Sequence, residues 1–417
     1  MKEKIVEIKE SKKNTRQLIL DAAFSFFLEP RFRDFSINEL ASRVGITKPA
    51  IYRYFSGKDA LLLEMEKYYF DSIAVRLRVM QSSFKPIIPF AELIQFFVEN
   101  PELINYTIFK MTNDGNFERT FAEAMLARGV RDEFGYLSSL HSLKEDFLER
   151  VQQLYAGFSI LFFIKIREKI SKNGNCVGSP EIFGRKLVQF LLGGFFGVCK
   201  KGETAFPQKI SKARKEEHSK ECAIFQGLFP EENAIFKAIA SCCEKCGMSS
   251  VTLERIADEL GMAKSSLYYY FDSKSQMLTS LMERELSLLT EFIRENSVEA
   301  RNFSEYIWVL FHSEIEFFCL RPSIIPVLGW MIQNVSVTSL STNSETPQTI
   351  WEKRMKMLFE SVDLGFPLPP SYLMIWLGSL PAVAIIFGRK HSLSREELFL
   401  LIEMIFDFVQ NGLEENG

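Results

Sequence analysis

The chain has 417 residues, 47% of them hydrophobic, and a formal net charge of −3 at pH 7. It is too long for one small helical domain and has ample apolar core, so the composition excludes a largely disordered chain and predicts several folded units. The near-neutral charge excludes a general cationic coat and leaves any nucleic-acid binding to local patches. Seven cysteines without regular spacing and an N-terminus without an apolar signal segment predict a reducing cytoplasm and no disulfide framework.

One stretch of the chain occurs twice without a gap. Residues 36–62 read SINELASRVGITKPAIYRYFSGKDALL, and residues 252–278 read TLERIADELGMAKSSLYYYFDSKSQML. An internal repeat of this kind predicts two copies of one folded module in a single chain. The identical residues at matching positions are Ala41 and Ala257, Gly45 and Gly261, Lys48 and Lys264, Tyr52 and Tyr268, Tyr54 and Tyr270, Phe55 and Phe271, Lys58 and Lys274, and Leu62 and Leu278.

Each copy predicts a short helix, a tight turn and a second short helix. Leu40, Ala41 and Val44 have the spacing of one helical face, and a glycine at position 45 favours the left-handed conformation that ends a helix. Ser36 with Glu39 has the pattern of a capping box at the helix start. The remaining signals are the equivalent stripe Ile256, Ala257 and Leu260 before Gly261, a helix start at Thr47 and Pro49, and a cap for a fourth helix at Ser56 or Asp272.

A further apolar helical stripe precedes each copy, LILDAAFSFF from Leu18 and the segment with Ile235, Phe236, Ile239 and Ala240. Three such helices form a DNA-binding unit. Through these stretches, and above all the run YxYFxxK in both copies, the sequence resembles the tetracycline-repressor (TetR) family of bacterial regulators. The resemblance covers roughly residues 12–70 and 228–286. It implies an all-α fold with two tandem TetR-like units, each a helix-turn-helix domain followed by a helical effector-binding and dimerisation domain.

These patterns predict five segments along the chain. They are the first helix-turn-helix domain (1–72), the first helical regulatory and dimerisation domain (73–202), a linker (203–227), the second helix-turn-helix domain (228–288) and the second helical domain (289–417). The linker is polar, carries both charge signs and would span tens of ångströms if extended.

DNA binding needs side chains that reach base edges in the major groove and others that hold the phosphates. The residues predicted to read bases lie on the second helix of each motif: Thr47, Lys48, Ala50 and Arg53, and in the second copy Lys264, Ser265, Ser266 and Tyr269. Others resemble family positions that contact the DNA backbone: Tyr52, Tyr54 and Lys58, with Tyr268, Tyr270 and Lys274. The alternative for the tyrosines is simple packing.

The two modules differ in charge. Residues 1–60 hold 12 Lys or Arg and 8 Asp or Glu, whereas residues 231–275 hold 5 and 7. Because phosphate neutralisation supplies much of the affinity for DNA, the first module is better suited to it than the second. The second module is still expected to bind DNA. The alternative is a regulator in which the second unit serves dimerisation or protein binding.

Two apolar segments near the end of each half are predicted to pair. They begin at Tyr155 and Val188 in the first half and at Tyr372 and Leu398 in the second, where TetR-like proteins build a four-helix dimer interface. The partner of each pair is either the other half of the chain, giving an intramolecular pseudodimer, or the same half of another chain. The uncharged run 364–388 is long enough for a membrane span, but its prolines favour a buried helix.

Between each module and its dimer helices the family encloses an effector pocket, so a small apolar effector is an expected partner. Candidate pocket walls are Phe96, Phe97, Phe109, Phe317, Phe318 and Trp330, although such spacing is also typical of core. His312, Glu314 and Glu316 are candidates for a polar group there, or for a solvated or hydrogen-bonded face.

The search for other chemistry finds little. Cys243 and Cys246 form a lone CxxC beside Cys242, without the second pair or nearby histidine of a zinc site, so no metal or cofactor is predicted. No phosphate-binding loop, HExxH pair or GxSxG elbow is present, which excludes the common enzyme classes. Repression of transcription is expected rather than activation, because a protein occupying a promoter blocks polymerase without further parts.

Overall fold

A computed structural model describes residues 15–28, 35–81, 88–113, 117–131, 147–172, 178–198, 210–225, 230–246, 250–328 and 370–413. Within these ranges the regular secondary structure is helical and no strand occurs. The predicted all-α class with two tandem units is therefore confirmed.

The first half begins with a helix over 15–25 (α1) and a short 3-10 turn at Phe26–Leu28. It continues with α2 (Ile37–Val44), α3 (Lys48–Tyr52), α4 (Lys58–Gln81), α5 (Ile88–Glu99), α6 (Pro101–Asn113), α7 (Phe117–Ala127), α8 (Phe147–Lys172) and α9 (Pro180–Val198).

The second half contains α10 (Lys212–Phe225), α11 (Ala234–Cys246), α12 (Leu253–Glu259), α13 (Lys264–Tyr270), α14 (Lys274–Asn296), α15 (Phe303–Leu320), α16 (Pro370–Lys390) and α17 (Arg395–Asn411). In this half, α11 to α14 repeat the order of α1 to α4, from the first helix of the module to the long helix that leaves it. Both domain boundaries predicted after a DNA-binding module, at 72 and 288, fall inside one continuous helix, α4 or α14.

Contacts divide the chain into two compact units. Of the described residues, the first unit takes those of 15–150 and 160–188, and the second takes those of 151–159, 189–328 and 370–413. In the first unit α4 packs against α5 and α7, and α6 packs against the turn at Phe26–Leu28. The Tyr69 and Thr107 hydroxyls share a buried hydrogen bond of 2.8 Å between α4 and α6.

Helix α15 is the centre of the second unit. Every side chain from Phe303 to Phe318 is buried, because α15 packs against α10, α14, α16 and α17. At its end Arg321 donates to both oxygens of Glu285 on α14, at 2.5 and 2.7 Å, and to the Pro230 carbonyl at 2.7 Å. The two side chains are almost fully buried, so this ion pair fixes the start of the second module to its helical domain.

An aromatic cluster in the second unit joins four of the helices predicted to form an interface. The Tyr155 ring lies 6.2 Å from that of Trp376 and 5.7 Å from that of Phe408, and the Phe190 ring lies 5.4 Å from that of Trp376. Trp376 Nε1 also donates to Ser159 Oγ at 3.1 Å. Residues 151–159 of α8 and 189–198 of α9 therefore pack with α16 and α17 inside one unit.

Backbone contact at Gly194 tightens the same region. Gly194 has φ 56° inside α9, and a Cβ at this position would clash with the backbone of Gly412 and Gln410. The Leu413 N–H donates to the Leu191 carbonyl at 2.9 Å. Only a residue without a side chain permits this close approach between α9 and the end of α17.

Part of the predicted linker is a helix. Residues 212–225 form α10, which packs against α14 and α15. Arg214 is buried and donates to Glu305 at 3.3 Å, to Glu217 at 2.6 Å and to the Glu299 carbonyl at 2.6 Å. Arg214 of this segment thus pairs with residues of α15 and of α10 itself, and with the chain between α14 and α15. Residues 203–209 and 226–227 lie outside the described residues.

Among the described residues, Tyr372–Lys390 in α16 is long and apolar enough to cross a membrane by length and composition. Half of that stretch is buried inside the protein, where α16 contacts α15 and α17. A core helix of a soluble protein has these properties too, so the feature is weak evidence for a membrane span.

Candidate nucleic-acid interface

The turn between the two short helices has the predicted geometry in both modules. The Glu39 N–H donates to Ser36 Oγ at 3.1 Å and the Ser36 N–H donates to Glu39 Oε2 at 2.7 Å, which is a complete capping box. Gly45 has φ 76° and Gly261 has φ 64°, both in the left-handed region. Each glycine ends one helix and redirects the chain into the next, so α3 and α13 leave their preceding helices at a steep angle.

Two details of the predicted helices differ in the structure. Leu18 was expected on the buried face of α1 but is 51% exposed, whereas Leu20 and Phe24 are buried. The stripe is therefore rotated from the predicted one, because the same apolar residues permit two neighbouring helical faces. Ser273, not Asp272, caps α14, since its hydroxyl accepts from the Gln276 N–H at 3.1 Å.

One buried apolar side chain anchors each of the helices α3 and α13, so that the opposite face of the helix stays exposed. Ile51 on α3 is fully buried against the first module, and Leu267 on α13 takes the matching place in the second. Behind them lie Leu40 and Ile256 of the preceding helices. One buried residue in each short helix leaves the rest of its surface open to a ligand.

In the first module the predicted contact residues lie on or beside this open face. Thr47, Lys48, Tyr52 and Arg53 are exposed, and the half-buried ones are Ala50, Tyr54 and Lys58. The Lys58 ammonium lies 5.2 Å from the centre of the Phe35 ring. The exposure of Tyr52 argues against simple packing for that ring. Tyr54 is half-buried, so part of its side chain packs against the module and part stays exposed.

In the second module the contact face is richer in tyrosine. Lys264, Ser265, Tyr268, Tyr269 and Tyr270 are exposed, and Ser266 and Lys274 are half-buried. The Tyr269 ring is the most open at 82%, and it lies 5.1 Å from that of Tyr270 in an edge arrangement. Tyr269 occupies the position that Arg53 has in the first module, so the second face exchanges a cation for an aromatic ring.

Arg16 is a residue that the sequence analysis missed. Its guanidinium donates to the Tyr54 carbonyl at 3.0 Å, pairs with Glu64 at 2.9 Å and lies over the Phe55 ring at 4.6 Å. It therefore ties α1 to the end of the recognition segment and to α4. The pair joins positions far apart in sequence, and no local pattern signals such a contact.

Glu254 is the second residue that was missed. Its carboxylate forms an ion pair and accepts a hydrogen bond from Lys264, the only cation within α13. The Lys264 ammonium also lies 5.5 Å from the centre of the Tyr268 ring. Other cations of this module are engaged as well, since Lys245 pairs with Glu259 at 2.6 Å and Arg255 donates to the Ser250 carbonyl at 3.1 Å.

Three of the candidate effector walls lie in the protein core. Phe97, Phe317 and Phe318 are buried, Phe96 and Phe109 are half-buried, and Trp330 lies outside the described residues. The Phe109 ring packs edge-on against that of Phe27 at 5.2 Å. A cavity of about 290 Å³ occurs elsewhere, between Pro230, Ala234, Arg284 and Arg321, and it is lined largely by polar groups.

His312, Glu314 and Glu316 are all buried near these aromatics, and His312 and Glu316 have polar partners rather than solvent. His312 Nε2 lies 3.0 Å from Glu403 Oε1, and Arg395 donates to both Glu316 oxygens at 2.6 Å. Burial alone would raise the pKa of Glu403, but the hydrogen bonds and charges of His312 and Lys215 lower it to about 2. Burial raises the pKa of Glu314 well above its usual range, which favours the neutral acid there.

The cysteine cluster has the properties of buried apolar residues. Cys242 is buried, and the Cys246 thiol donates to its carbonyl at 3.1 Å. Burial raises the pKa of the Cys243 thiol to about 11, so it stays protonated at neutral pH. Within the described ranges no group of three or more metal-ligating side chains comes together.

Comparison with known proteins identifies the two modules. Residues 19–65 and 235–281 both match the family model described as bacterial regulatory proteins, tetR family. The chain is 33% identical over 82 residues to the nucleoid occlusion factor SlmA of Haemophilus ducreyi, which covers 20% of this chain and 41% of that protein. It is 37% identical over 65 residues to the uncharacterized HTH-type transcriptional regulator YuxN of Bacillus subtilis, over 16% of this chain and 22% of that one.

The chain thus matches about two fifths or less of the length of these relatives. The repeat, the left-handed glycines and the two matches to one model agree on the same pair of segments. The chain therefore carries two tandem segments, residues 19–65 and 235–281, that are both similar to the tetR family of bacterial regulatory proteins.

Proposed function

We propose that the protein is a DNA-binding transcriptional regulator that reads DNA with α3 and α13. One observation carries this proposal: both helices lie beyond a left-handed glycine turn, bury one residue each, and expose the polar and aromatic side chains on the rest of their surface. A short helix of this kind enters the major groove while its neighbours hold the phosphates. The similarity of both segments to this family supports a regulator rather than an enzyme.

The roles of individual residues follow from their positions. Thr47, Lys48, Ala50 and Arg53 are proposed to read bases in the first module, with Lys264, Ser265, Ser266 and Tyr269 in the second. Tyr52, Tyr54 and Lys58, with Tyr268, Tyr270 and Lys274, are proposed to hold the backbone. Lys58 and Lys274 begin α4 and α14, where free amide groups also attract phosphate.

We further propose that the two halves pair within one chain. The aromatic cluster supports this, because Tyr155 and Phe190 of the first half pack on Trp376 and Phe408 of the second. The contact between Gly194 and Gly412 supports it as well. Such a pseudodimer would place two unlike recognition helices on one DNA site, about one helical turn apart.

A small effector and repression complete the proposal. An effector would act by favouring one spacing of the recognition helices over another. Buried Glu314, which forms no hydrogen bond or ion pair with the part of the chain described here, is the proposed polar group of its site in the second helical domain. A DNA-binding role also places the protein in the cytoplasm, with the DNA that it regulates.

The DNA-binding proposal is tested with two variants of the full chain, Arg53→Ala and Lys58→Ala, on DNA fragments selected by the wild type. Loss of a base-reading arginine should lower affinity by about 5- to 150-fold and relax sequence preference at one position, since a good base contact is worth about 1–3 kcal/mol. Loss of the phosphate-binding Lys58 should weaken all sequences alike and reduce the slope of log affinity against log salt by about 1.

The matched control is Arg119→Ala, which removes an exposed cation from helix α7 and its ion pair with Glu123. Fluorescence anisotropy over a salt series gives the DNA affinity of the three variants and of the wild type. Equal effects of Arg119→Ala and Lys58→Ala would mean that net charge alone governs binding. Unchanged binding in both module variants would contradict the proposed interface.

A second candidate function has a specific observation in its favour. The pairing of Lys264 with Glu254 and the acidic balance of residues 231–275 suit a second unit that serves dimerisation or protein binding while the first module alone binds DNA. The double variant Lys264→Ala with Tyr268→Phe separates the two. Unchanged DNA affinity and salt slope would favour the second candidate.

A further inference from the structure

In the second module, the Glu254 carboxylate pairs with the Lys264 ammonium on the surface that is proposed to face DNA. Lys264 begins α13 and Glu254 lies in the first turn of α12, and both side chains are about half exposed, at 52% and 55%. The pair is therefore at the surface that the proposed function assigns to DNA. An ammonium held by a carboxylate releases fewer counterions on meeting a phosphate than a free one does.

The first module lacks this arrangement at the matching positions. Asn38 stands where the second module has Glu254, and Lys48 stands where it has Lys264. The Lys48 side chain is exposed, and its ammonium forms no ion pair or hydrogen bond with any residue in the described ranges. The same holds for the Arg53 guanidinium, whose counterpart Tyr269 carries no charge. The first recognition segment therefore has two cationic side chains without a carboxylate partner in these ranges, whereas the second has only Lys264, which is paired with Glu254.

We propose that Glu254 weakens the electrostatic contacts of the second module with DNA by holding Lys264, so that the two modules contribute unequally to DNA affinity and to its salt dependence. The inference rests on the proposed DNA-binding function and adds a residue that sets the strength of one half. Glu254 also places a negative charge near the DNA phosphates, which repel it. The second module then reads DNA mainly through its serine and tyrosine side chains, whose contacts depend less on salt.

Exposed ion pairs are weak, and this sets the size of the expected effect. Measured values for such pairs fall below about 1 kcal/mol, which corresponds to a change in affinity of about two- to fivefold. The slope of log affinity against log salt should steepen by about 0.9 for each additional phosphate contact. Both quantities are measurable by anisotropy with a mixed-sequence duplex of about 30 base pairs between about 50 and 200 mM salt.

The experiment uses the full chain carrying Lys48→Ala and Arg53→Ala, so that the second module dominates binding. In this background Glu254→Gln should raise affinity two- to fivefold and steepen the salt slope. Adding Lys264→Ala to Glu254→Gln should cancel the gain. Thermal unfolding of each variant checks that the module stays folded.

The matched control is Glu259→Gln, which removes an equal charge from the same module. Glu259 pairs with Lys245 on α11 rather than with the recognition helix. The inference is overturned if Glu259→Gln raises affinity as much as Glu254→Gln, if Glu254→Gln has no effect, or if Glu254→Gln raises affinity equally when Lys264→Ala is also present. Absence of DNA binding by the unmodified protein at low salt would instead overturn the proposed function itself.

Discussion

Gly45 shows at the scale of one residue how the turn depends on backbone conformation. With φ 76° and ψ 29° it lies in the left-handed region, and a Cβ there would meet no neighbouring atom. Gly45→Ala should therefore destabilise the first module by about 1–2 kcal/mol through backbone strain alone. Thermal unfolding followed by circular dichroism measures the loss.

Gly57 supplies the matched control in the same module. Its φ is outside the left-handed region and its Cβ position is also free, so Gly57→Ala should leave stability unchanged or raise it slightly. Equal losses in the two alanine variants would show that strain at position 45 is not the cause.

Residues whose role depends on near neighbours in sequence could be predicted, and the others could not. The capping box of Ser36 and Glu39 and the left-handed Gly45 are local features, and both have the predicted geometry. The pairing of Lys264 with Glu254 joins two helices across the turn, so it could not be inferred from either helix alone. The exposure of Leu18 depends on which of two possible helical faces meets the core.

At the scale of helices, Arg321 and Glu285 join the end of α15 to α14. Arg321→Ala would leave the Glu285 carboxylate buried without its partner and would free the Pro230 carbonyl. The expected loss is about 3–5 kcal/mol in the free energy of unfolding, since removing one partner of a buried ion pair is more costly than removing both. Urea denaturation of the variant and the wild type gives this difference.

Arg284 provides the control one residue away from Glu285. It is exposed on α14, so Arg284→Ala should change the free energy of unfolding by no more than about 0.5 kcal/mol. The double change of Arg321→Met and Glu285→Met should recover part of the loss, because it removes both charges. A loss below about 1 kcal/mol for Arg321→Ala would contradict the assigned role.

The helix α10 marks the limit of prediction from composition. A polar segment with mixed charge is typical of a linker, yet Arg214 and Lys215 within it bind acidic residues of α15 and α17. Those partners lie about a hundred or more positions away, and composition contains no information about them. The helices with a strong apolar period, such as α14 and α17, were predictable because one face of each must be buried.

For the whole molecule, the aromatic cluster predicts a single-chain pseudodimer. Light scattering on the purified protein bound to DNA should give one protein mass of 48.1 kDa per complex, since each chain supplies its own partner helices. DNA selected from a random pool should then contain two unlike half-sites, because α3 and α13 differ in sequence. Twice that protein mass, or a perfect palindrome, would instead indicate that identical modules pair between chains.

The order of the two modules along the chain was predictable from the repeat. The contacts between helices of the two halves were not. The duplicated segment fixes two modules and their places in the chain. The contact of Gly194 with Gly412 depends on which helices meet, and the sequence left two pairings open.

A chain that pairs its own halves also changes how promoter control depends on the amount of protein. For a regulator assembled from two separate subunits, the concentration of the active dimer falls with the square of the subunit concentration when the protein is scarce. In a single chain the second recognition helix engages at an effective concentration set by its tether to the first. For the proposed pseudodimer we expect occupancy to fall only in proportion to copy number, so that a cell with few molecules would retain control of a promoter.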